Sequence, residues 1–336
     1  MLFNINIMPF KFSKNKYYQG PVSDHFNGKK FFNPWNPQPP KTFGDMVKWR
    51  MSRGNIKWPT EVERKFNPYP PTRVEGKNLH ITNIGHATVL LQTNGLNIIT
   101  DPVFSDRASP FSFLGPKRVT KPGIDFEKLP KIDVILLSHN HYDHMDMASL
   151  HKIWQRDEPL IITPLGNDAV INLIHPEIKS HVLDWGFSKE LNGVKFTLEP
   201  AQHWSARWIN DRNDALWGSF VIECSYGKIY FAADSGYGEH FKMIGEKYGK
   251  FDLSLIPIGA YEPRWFMKYL HMNPKDAVRA FYDLNTEKAF AIHFEVFKLT
   301  NEGHDSPRRH IAAAIERSRI KEQDFIIPYI GEEFEF

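Results

Sequence analysis

The sequence predicts a mixed α/β (α+β) fold preceded by a Pro-rich, basic extension, and three observations carry that prediction. From about residue 78 onward, short β-branched or apolar runs alternate with turn residues, which is the pattern of strands. Between those runs, apolar residues recur at spacings of three and four, the period of a helix face. Residues 1–75 show neither pattern and hold ten of the 24 prolines.

The extension comes first. Proline fixes φ and withholds a backbone donor, so stretches such as FFNPWNPQPPKTF and KFNPYPPTR are not expected to hold regular structure for long. Its aromatics, including Phe31, Phe32, Trp35, Trp49 and Trp58, point to a segment that wraps over a folded body of residues 76–336. It carries 13 Lys and Arg against 5 Asp and Glu, a charge of +8, whereas the rest of the chain carries −5. Such an arm either approaches an anionic surface, such as phospholipid headgroups or nucleic acid, or is simply solvated.

Within the body, LHITNIG, ATVLLQ, LNIIT, DVILLS, PLIITP, KFTLEP, SFVIEC, KIYFAA, DLSLIPI and AFAIH read as strands. Helices are read at Met147, Leu150 and Trp154, and at Val278, Phe281 and Leu284. Asn273 before Pro274 and Ser306 before Pro307 are expected to cap two surface helices that lie over a sheet. With 41% apolar and 24% charged residues over 336 positions, the chain can bury a large core. Its apolar runs, such as 134–137, fall far short of the ~20 residues of a membrane span. Neither a basic region nor a small-residue cleavage site accompanies the apolar first ten residues, so no secretory signal is read there. The lone Cys224 excludes an internal disulfide and a Cys-rich zinc framework. These features predict a cytoplasmic protein, or one held peripherally at a membrane.

The densest chemistry is LLSHNHYDHMD, where His139, His141, Asp143 and His144 fall within six residues after an apolar strand. Alternate residues of an extended stretch point the same way, so His139 and His141 can grip one ion from one side. Asp143 and His144 then turn toward a second. Imidazole nitrogen with carboxylate oxygen suits zinc, with manganese or iron possible. Two ions need more ligands than this loop holds. His203 after KFTLEP, Asp234 after KIYFAA and His293 closing AFAIH all stand where an apolar run ends. His86 and Asp101, also at strand boundaries, are read as residues that orient the ligands by hydrogen bonds. His25, His80, His151, His175, His181, His240, His304 and His310 have no such company and are read as structural or surface residues.

The His-x-His-x-Asp-His loop at 139–144 resembles that of the metallo-β-lactamase superfamily. GHATVLL, TDPVFSDRASPFSFLGPKR, LEPAQHW, ALWGSF, FAADSGYG and FDLSLIPIGAYEPRWFMKY further resemble the N-acylphosphatidylethanolamine-hydrolysing phospholipase D family, over roughly residues 31–300. The resemblance implies a four-layer αββα sandwich with two zinc ions at the edge of its sheets. It assigns His139, His141 and His203 to one zinc and Asp143, His144 and His293 to the other, with Asp234 bridging them. It also implies hydrolysis of N-acylphosphatidylethanolamine to an N-acylethanolamine and phosphatidic acid, and a homodimer. The chain departs from the family at Glu295 and Val296, where a small pair such as Gly-Thr is expected.

On this reading Asp143 and Asp234 are the catalytic carboxylates, and two cations supply the attacking hydroxide from a bridging water. The segment 261–272 is expected to form a lipid-facing lip, with Arg264, Lys268, Trp265 and Phe266 at the membrane and Tyr142 and His271 touching a phospholipid substrate. No nucleic-acid module is recognisable, so no nucleic-acid partner is expected. A lactonase or general phosphodiesterase on the same fold, and a non-catalytic metal-stabilised membrane-associated binding protein, are the competing readings.

Overall fold

A computed structural model describes residues 15–35, 42–52 and 56–336. Residues 1–14, 36–41 and 53–55 of the extension, with Pro37, Pro39 and Pro40 among them, lie outside the described residues. In chain order the elements are helix α1 (Phe43–Met51), strands β1 (His80–Gly85), β2 (Thr88–Thr93), β3 (Leu96–Thr100) and β4 (Val134–Leu136), α2 (Met147–Asp157), β5 (Leu160–Pro164), α3 (Asn167–Asn172), β6 (Ser180–Leu183), β7 (Ser188–Leu191), β8 (Val194–Glu199), β9 (Ser219–Glu223), β10 (Lys228–Phe231), α4 (His240–Tyr248), β11 (Phe251–Pro257), α5 (Arg264–Met267), α6 (Pro274–Asp283), β12 (Thr286–Ile292), α7 (Ser306–Glu316), β13 (Phe325–Ile326) and β14 (Glu333–Glu335).

These strands form two seven-stranded sheets, β14-β1-β2-β3-β4-β5-β6 and β13-β12-β11-β10-β9-β8-β7. Each sheet begins as an antiparallel meander and continues as a parallel run, from β3 to β6 in the first and from β10 to β13 in the second. Strand alternation sorts the side chains. Val134 and Leu136 of β4 enter the core between the sheets with Leu198, Phe231 and Leu255, whereas Ile135 and Leu137 face outward beneath Leu150 and Ile153 of α2. On the second sheet's outer face, Tyr230 and Ala232 pack under Phe241, Ala277, Ala280, Ile311 and Ile315 of α4, α6 and α7. The result is the expected αββα order.

The extension is threaded into this body. Phe26 and Phe31 are each 1% exposed and belong to the core between the sheets. His25 Nε2 lies 2.8 Å from Asp184, and the Trp58 indole donates to the Glu302 carbonyl at 2.9 Å. Two expectations need correcting. The extension does hold a helix, α1, because the stretch 41–58 has no proline and Thr42 forms a capping box with Asp45. The helix α7 begins one residue earlier than read, with Asp305 at the N-cap and Ser306 already helical, whereas Asn273 caps α6 as expected.

Candidate metal centre

Strands β1, β3 and β4 run in one direction, as do β8, β10 and β12, so the residues that follow them emerge at a single edge of each sheet. His86 follows β1, Asp101 follows β3, the loop with His139 to His144 follows β4, and His203, Asp234 and His293 follow β8, β10 and β12. The backbone is bent sharply there. His86, Asp101, Ala233, Ala260, His293 and Glu295 all have φ between +33° and +64°, a region that costs a residue with a Cβ about 1–3 kcal/mol. Beyond this edge, the non-glycine residues with positive φ among the described residues are four asparagines and Glu158. Close backbone approach reinforces the strain, since a Cβ on Gly259 would meet the His293 carbonyl at 2.0 Å.

Two sets of ligand atoms converge. His139, His141, His203 and Asp234 form one, and Asp143, His144 and His293, joined by His86, form the other. The Asp234 carboxylate lies between them. Its Oδ2 stands 3.6 Å from His203 Nε2, 3.9 Å from His139 Nε2 and 3.1 Å from His144 Nε2, and its Oδ1 stands 3.0 Å from His293 Nε2. Asp143 Oδ2 lies 3.5 Å from His144 Nε2 and 3.4 Å from His293 Nε2.

The surrounding hydrogen bonds fix which nitrogen faces inward. Ser138 donates its one hydroxyl proton to Asp101 Oδ2 at 2.6 Å, so it must accept from His139 Nδ1 at 2.9 Å. His144 Nδ1 donates to the same Asp101 oxygen at 2.7 Å, and His203 Nδ1 donates to the Leu270 carbonyl at 2.8 Å. In their neutral form all three rings therefore turn the lone pair of Nε2 toward the cluster. His86 Nε2 reaches Asp143 Oδ2 at 2.9 Å, and Asn33 of the extension holds the His203 carbonyl at 2.7 Å.

The electrostatics favour a cation. Burial lowers the basicity of His139, His141 and His203, taking His141 to about 3 and His203 to about 4, and facing imidazoles add to the effect. The same burial acts on His144 and His293, but the Asp234 and Asp143 carboxylates outweigh it and raise His144 well above the usual range and His293 to about 9. Burial opposes charge on Asp143 and Asp234 as well, yet the surrounding imidazoles hold both far below the ordinary carboxylate range. His144 Nε2 lies 3.1 Å from Asp234 Oδ2 and His293 Nε2 lies 3.0 Å from Asp234 Oδ1, yet His144 Nε2, His293 Nε2 and Asp234 Oδ1 are buried without a hydrogen bond of good geometry. Inward lone pairs, two carboxylates and orphaned buried atoms fit divalent metal ions bound by nitrogen and oxygen.

A cleft of about 440 Å³ opens over this cluster. His141, Asp143, Asp234 and His271 lie at its floor, and Met46, Trp49, Trp204, Phe266, Leu270 and Leu299 line its walls. Tyr142 also lines it, its hydroxyl donating to the Arg207 carbonyl at 2.8 Å with the Arg207 guanidinium over its ring. Two members of the expected lipid-facing lip, Arg264 and Phe266, are placed differently. Arg264 is committed to Asp276 at 2.7 Å and to the His271 carbonyl at 2.8 Å, so it braces the loop that presents His271. Phe266 is 7% exposed and stacks on Trp49 with ring centroids 5.4 Å apart, forming cleft wall instead of projecting outward. Trp265 stands outside the cleft under the Lys48 ammonium. Glu295 turns away to a bidentate pair with Arg308 at 2.9 Å, and its φ of +59° explains why a glycine would suit that position. Sequence reasoning missed Ser138, Arg207 and the Leu270 carbonyl, which act through backbone and hydrogen-bond geometry that residue type does not signal.

The sandwich and its edge cluster define a class of metal-dependent hydrolases. The beta-lactamase superfamily domain matches residues 96–294, and the chain belongs to the metallo-β-lactamase superfamily. It is 35% identical over 333 residues to the N-acyl-phosphatidylethanolamine-hydrolyzing phospholipase D 1 of Caenorhabditis elegans, covering 92% of this chain and 93% of that protein. To the mitochondrial N-acyl-phosphatidylethanolamine-hydrolyzing phospholipase D of Saccharomyces cerevisiae it is 34% identical over 275 residues, covering 78% of this chain and 58% of that one. The solved structure of the isothiocyanate hydrolase from Delia radicum gut bacteria superimposes with a TM-score of 0.61 at 21% identity, over 76% of this chain and 99% of that one, a likeness of fold. No helix among the described residues is long and apolar enough to cross a membrane.

Proposed function

We propose that this hydrolase is a two-metal phosphodiesterase of phospholipase D type, cleaving N-acylphosphatidylethanolamine to an N-acylethanolamine and phosphatidic acid. The observation that carries the reading is the cleft itself, with apolar walls suited to acyl chains and the His and Asp cluster at its floor. The likeness to the nematode phospholipase supports the same substrate class. His139, His141 and His203 would hold one zinc, Asp143, His144 and His293 the other, with Asp234 shared. Bound zinc lowers the pKa of a water toward neutrality and neutralises charge on a phosphoryl oxygen.

The chain's own groups do the rest. Asp101, Ser138 and the Leu270 carbonyl lock the imidazole tautomers, and His86 orients Asp143. His271, kept neutral by burial, lies on the cleft floor with Nδ1 4.0 Å from Asp234 Oδ2, where its ring is placed to hydrogen-bond the phosphodiester of the substrate. The apolar walls exclude water from the bond being broken.

We take as the rim of the cleft the exposed apolar residues on segments that also line it or the adjoining groove: Phe43 (85%) and Met51 (80%) on α1 with Met46 and Trp49, Phe113 (77%) and Leu114 (60%) on the loop after β3 with Ala108, and Ile209 beside Trp208. This rim is the peripheral membrane contact we assign, replacing the segment 261–272 in that role. Metal-quantified protein should release N-acylethanolamine from N-acylphosphatidylethanolamine and leave plain phosphatidylethanolamine and a soluble phosphodiester far slower. Preference for the soluble phosphodiester, or for a lactone, would overturn the assignment.

A further inference from the structure

Outside the candidate centre, one other set of imidazoles and a carboxylate comes together among the described residues. His151 lies on α2, and His175 and Glu177 lie in the turn between α3 and β6. His151 Nε2 and His175 Nδ1 each stand 3.3 Å from the same oxygen, Glu177 Oε1. The two rings stack with centroids 3.9 Å apart and planes 15° from parallel. We propose that His151, His175 and Glu177 form a separate surface site for a zinc-class divalent cation.

Geometry carries the argument. Zinc bonds of about 2.0–2.2 Å arranged tetrahedrally place neighbouring ligand atoms roughly 3.3–3.5 Å apart, and both nitrogen-to-oxygen spacings fall there. The donor set of two imidazoles and one carboxylate is the kind that prefers zinc over magnesium or calcium.

The frame is preorganised as well. His175 N–H donates to the Ile171 carbonyl at 2.8 Å, Ile178 N–H donates to the His175 carbonyl at 3.1 Å, and Pro176 fixes the backbone between the two ligands. All three side chains keep solvent access, so an ion can reach them.

The site also has a position that matters. Ile174, beside His175, shares a groove of about 510 Å³ with Met147 and Ala148 at the start of α2 and with Trp208, and that groove runs to Tyr142 at the cleft. A cation on His151, His175 and Glu177 pins α2 to the α3–β6 turn and so fixes two walls of this groove. The inference is independent of the phospholipase reading.

The test is zinc uptake by the full chain with its centre already loaded, measured by equilibrium dialysis against buffered Zn²⁺ and elemental analysis. The wild type should hold one more equivalent than a His151→Ala, His175→Ala double variant whose hydrolase activity is retained. Glu177→Gln, which keeps the shape and removes the charge, should weaken that equivalent by about tenfold or more. Cobalt substitution should add a tetrahedral absorption band in the wild type that the double variant lacks and that Glu177→Gln reaches only at higher cobalt. Equal uptake by wild type and double variant overturns the site, as does displacement of the extra zinc by millimolar Mg²⁺. Should the double variant lose activity, His151→Gln alone decides by the same uptake comparison.

Discussion

Replacing Asp101 with Asn exchanges one oxygen for an amide nitrogen behind the candidate centre and tests how far a buried carboxylate governs it. Asp101 is fully buried and accepts three hydrogen bonds, from Ser138 N–H at 2.8 Å, Ser138 Oγ at 2.6 Å and His144 Nδ1 at 2.7 Å. Its φ of +33° is no obstacle, because asparagine tolerates that region at least as well as aspartate. With one oxygen kept on Ser138 N–H, the new NH₂ faces His144 Nδ1, and two donors cannot share that contact. His144 must then take the other tautomer and turn an N–H toward the cluster where a lone pair was. Losing such an orienting partner costs about 10- to 100-fold in metal affinity, or roughly 1.4–2.7 kcal/mol. Zinc affinity measured in buffered free metal, together with kcat/KM at limiting and saturating zinc, reads this out. Activity should fall with the metal at low zinc and recover substantially when zinc is raised. Unaltered zinc affinity in a folded Asp101→Asn protein would refute the tautomer argument.

The remaining expectations concern ligands, cleft and extension. His203→Ala and Asp143→Asn should each reduce turnover by more than the roughly 100-fold that an orienting bond costs, with circular dichroism unchanged, and elemental analysis should find less bound metal. Trp49→Ala removes the ring stacked on Phe266, an aromatic pair worth about 0.5–1.5 kcal/mol; KM for a long-chain lipid should rise several-fold while turnover of a soluble phosphodiester stays level. Burial opposes charge on His25, but the hydrogen bonds and charges of Asp184 and Asp24 outweigh it and raise its pKa. Its contribution to stability is therefore complete below the ordinary histidine value of about 6.5 and is lost as pH rises through the raised folded value. The Tm difference between wild type and His25→Gln should be largest near pH 6 and shrink toward higher pH; a difference independent of pH would contradict the pairing.

Much of the site was legible because its ligands share one signature, a polar residue at the end of an apolar run. That signature placed His139, His203, Asp234 and His293 together without any contact information, since strands that run the same way end at the same edge. Residues whose role depends on hydrogen-bond partners were harder to read. Arg264 looks like a lipid-facing cation by type, and only the position of Asp276 reveals it as a brace. The helix α1 was hidden by the prolines on either side, although Thr42 and Asp45 carry its capping box. The strand β7, Ser-Lys-Glu-Leu, lies at a sheet edge, where polar residues suffice and no hydrophobic pattern is required. The α3–β6 turn shows the same limit, because nothing in residue order says that His151 and His175 will stack.

The division of ligands between two similar sheets bears on when the centre can first exist during synthesis. Each cluster draws on the loop after β4 in the first sheet and on strand ends of the second. A nascent chain that has emerged only as far as β6 displays four of the seven candidate ligands yet has neither cluster, and the second stays incomplete until β12 delivers His293. Stable metal capture is thereby deferred until Asp234 completes the first cluster, and a ribosome-stalled fragment carries a partial binding loop that ought to exchange a divalent metal far more freely than the finished chain.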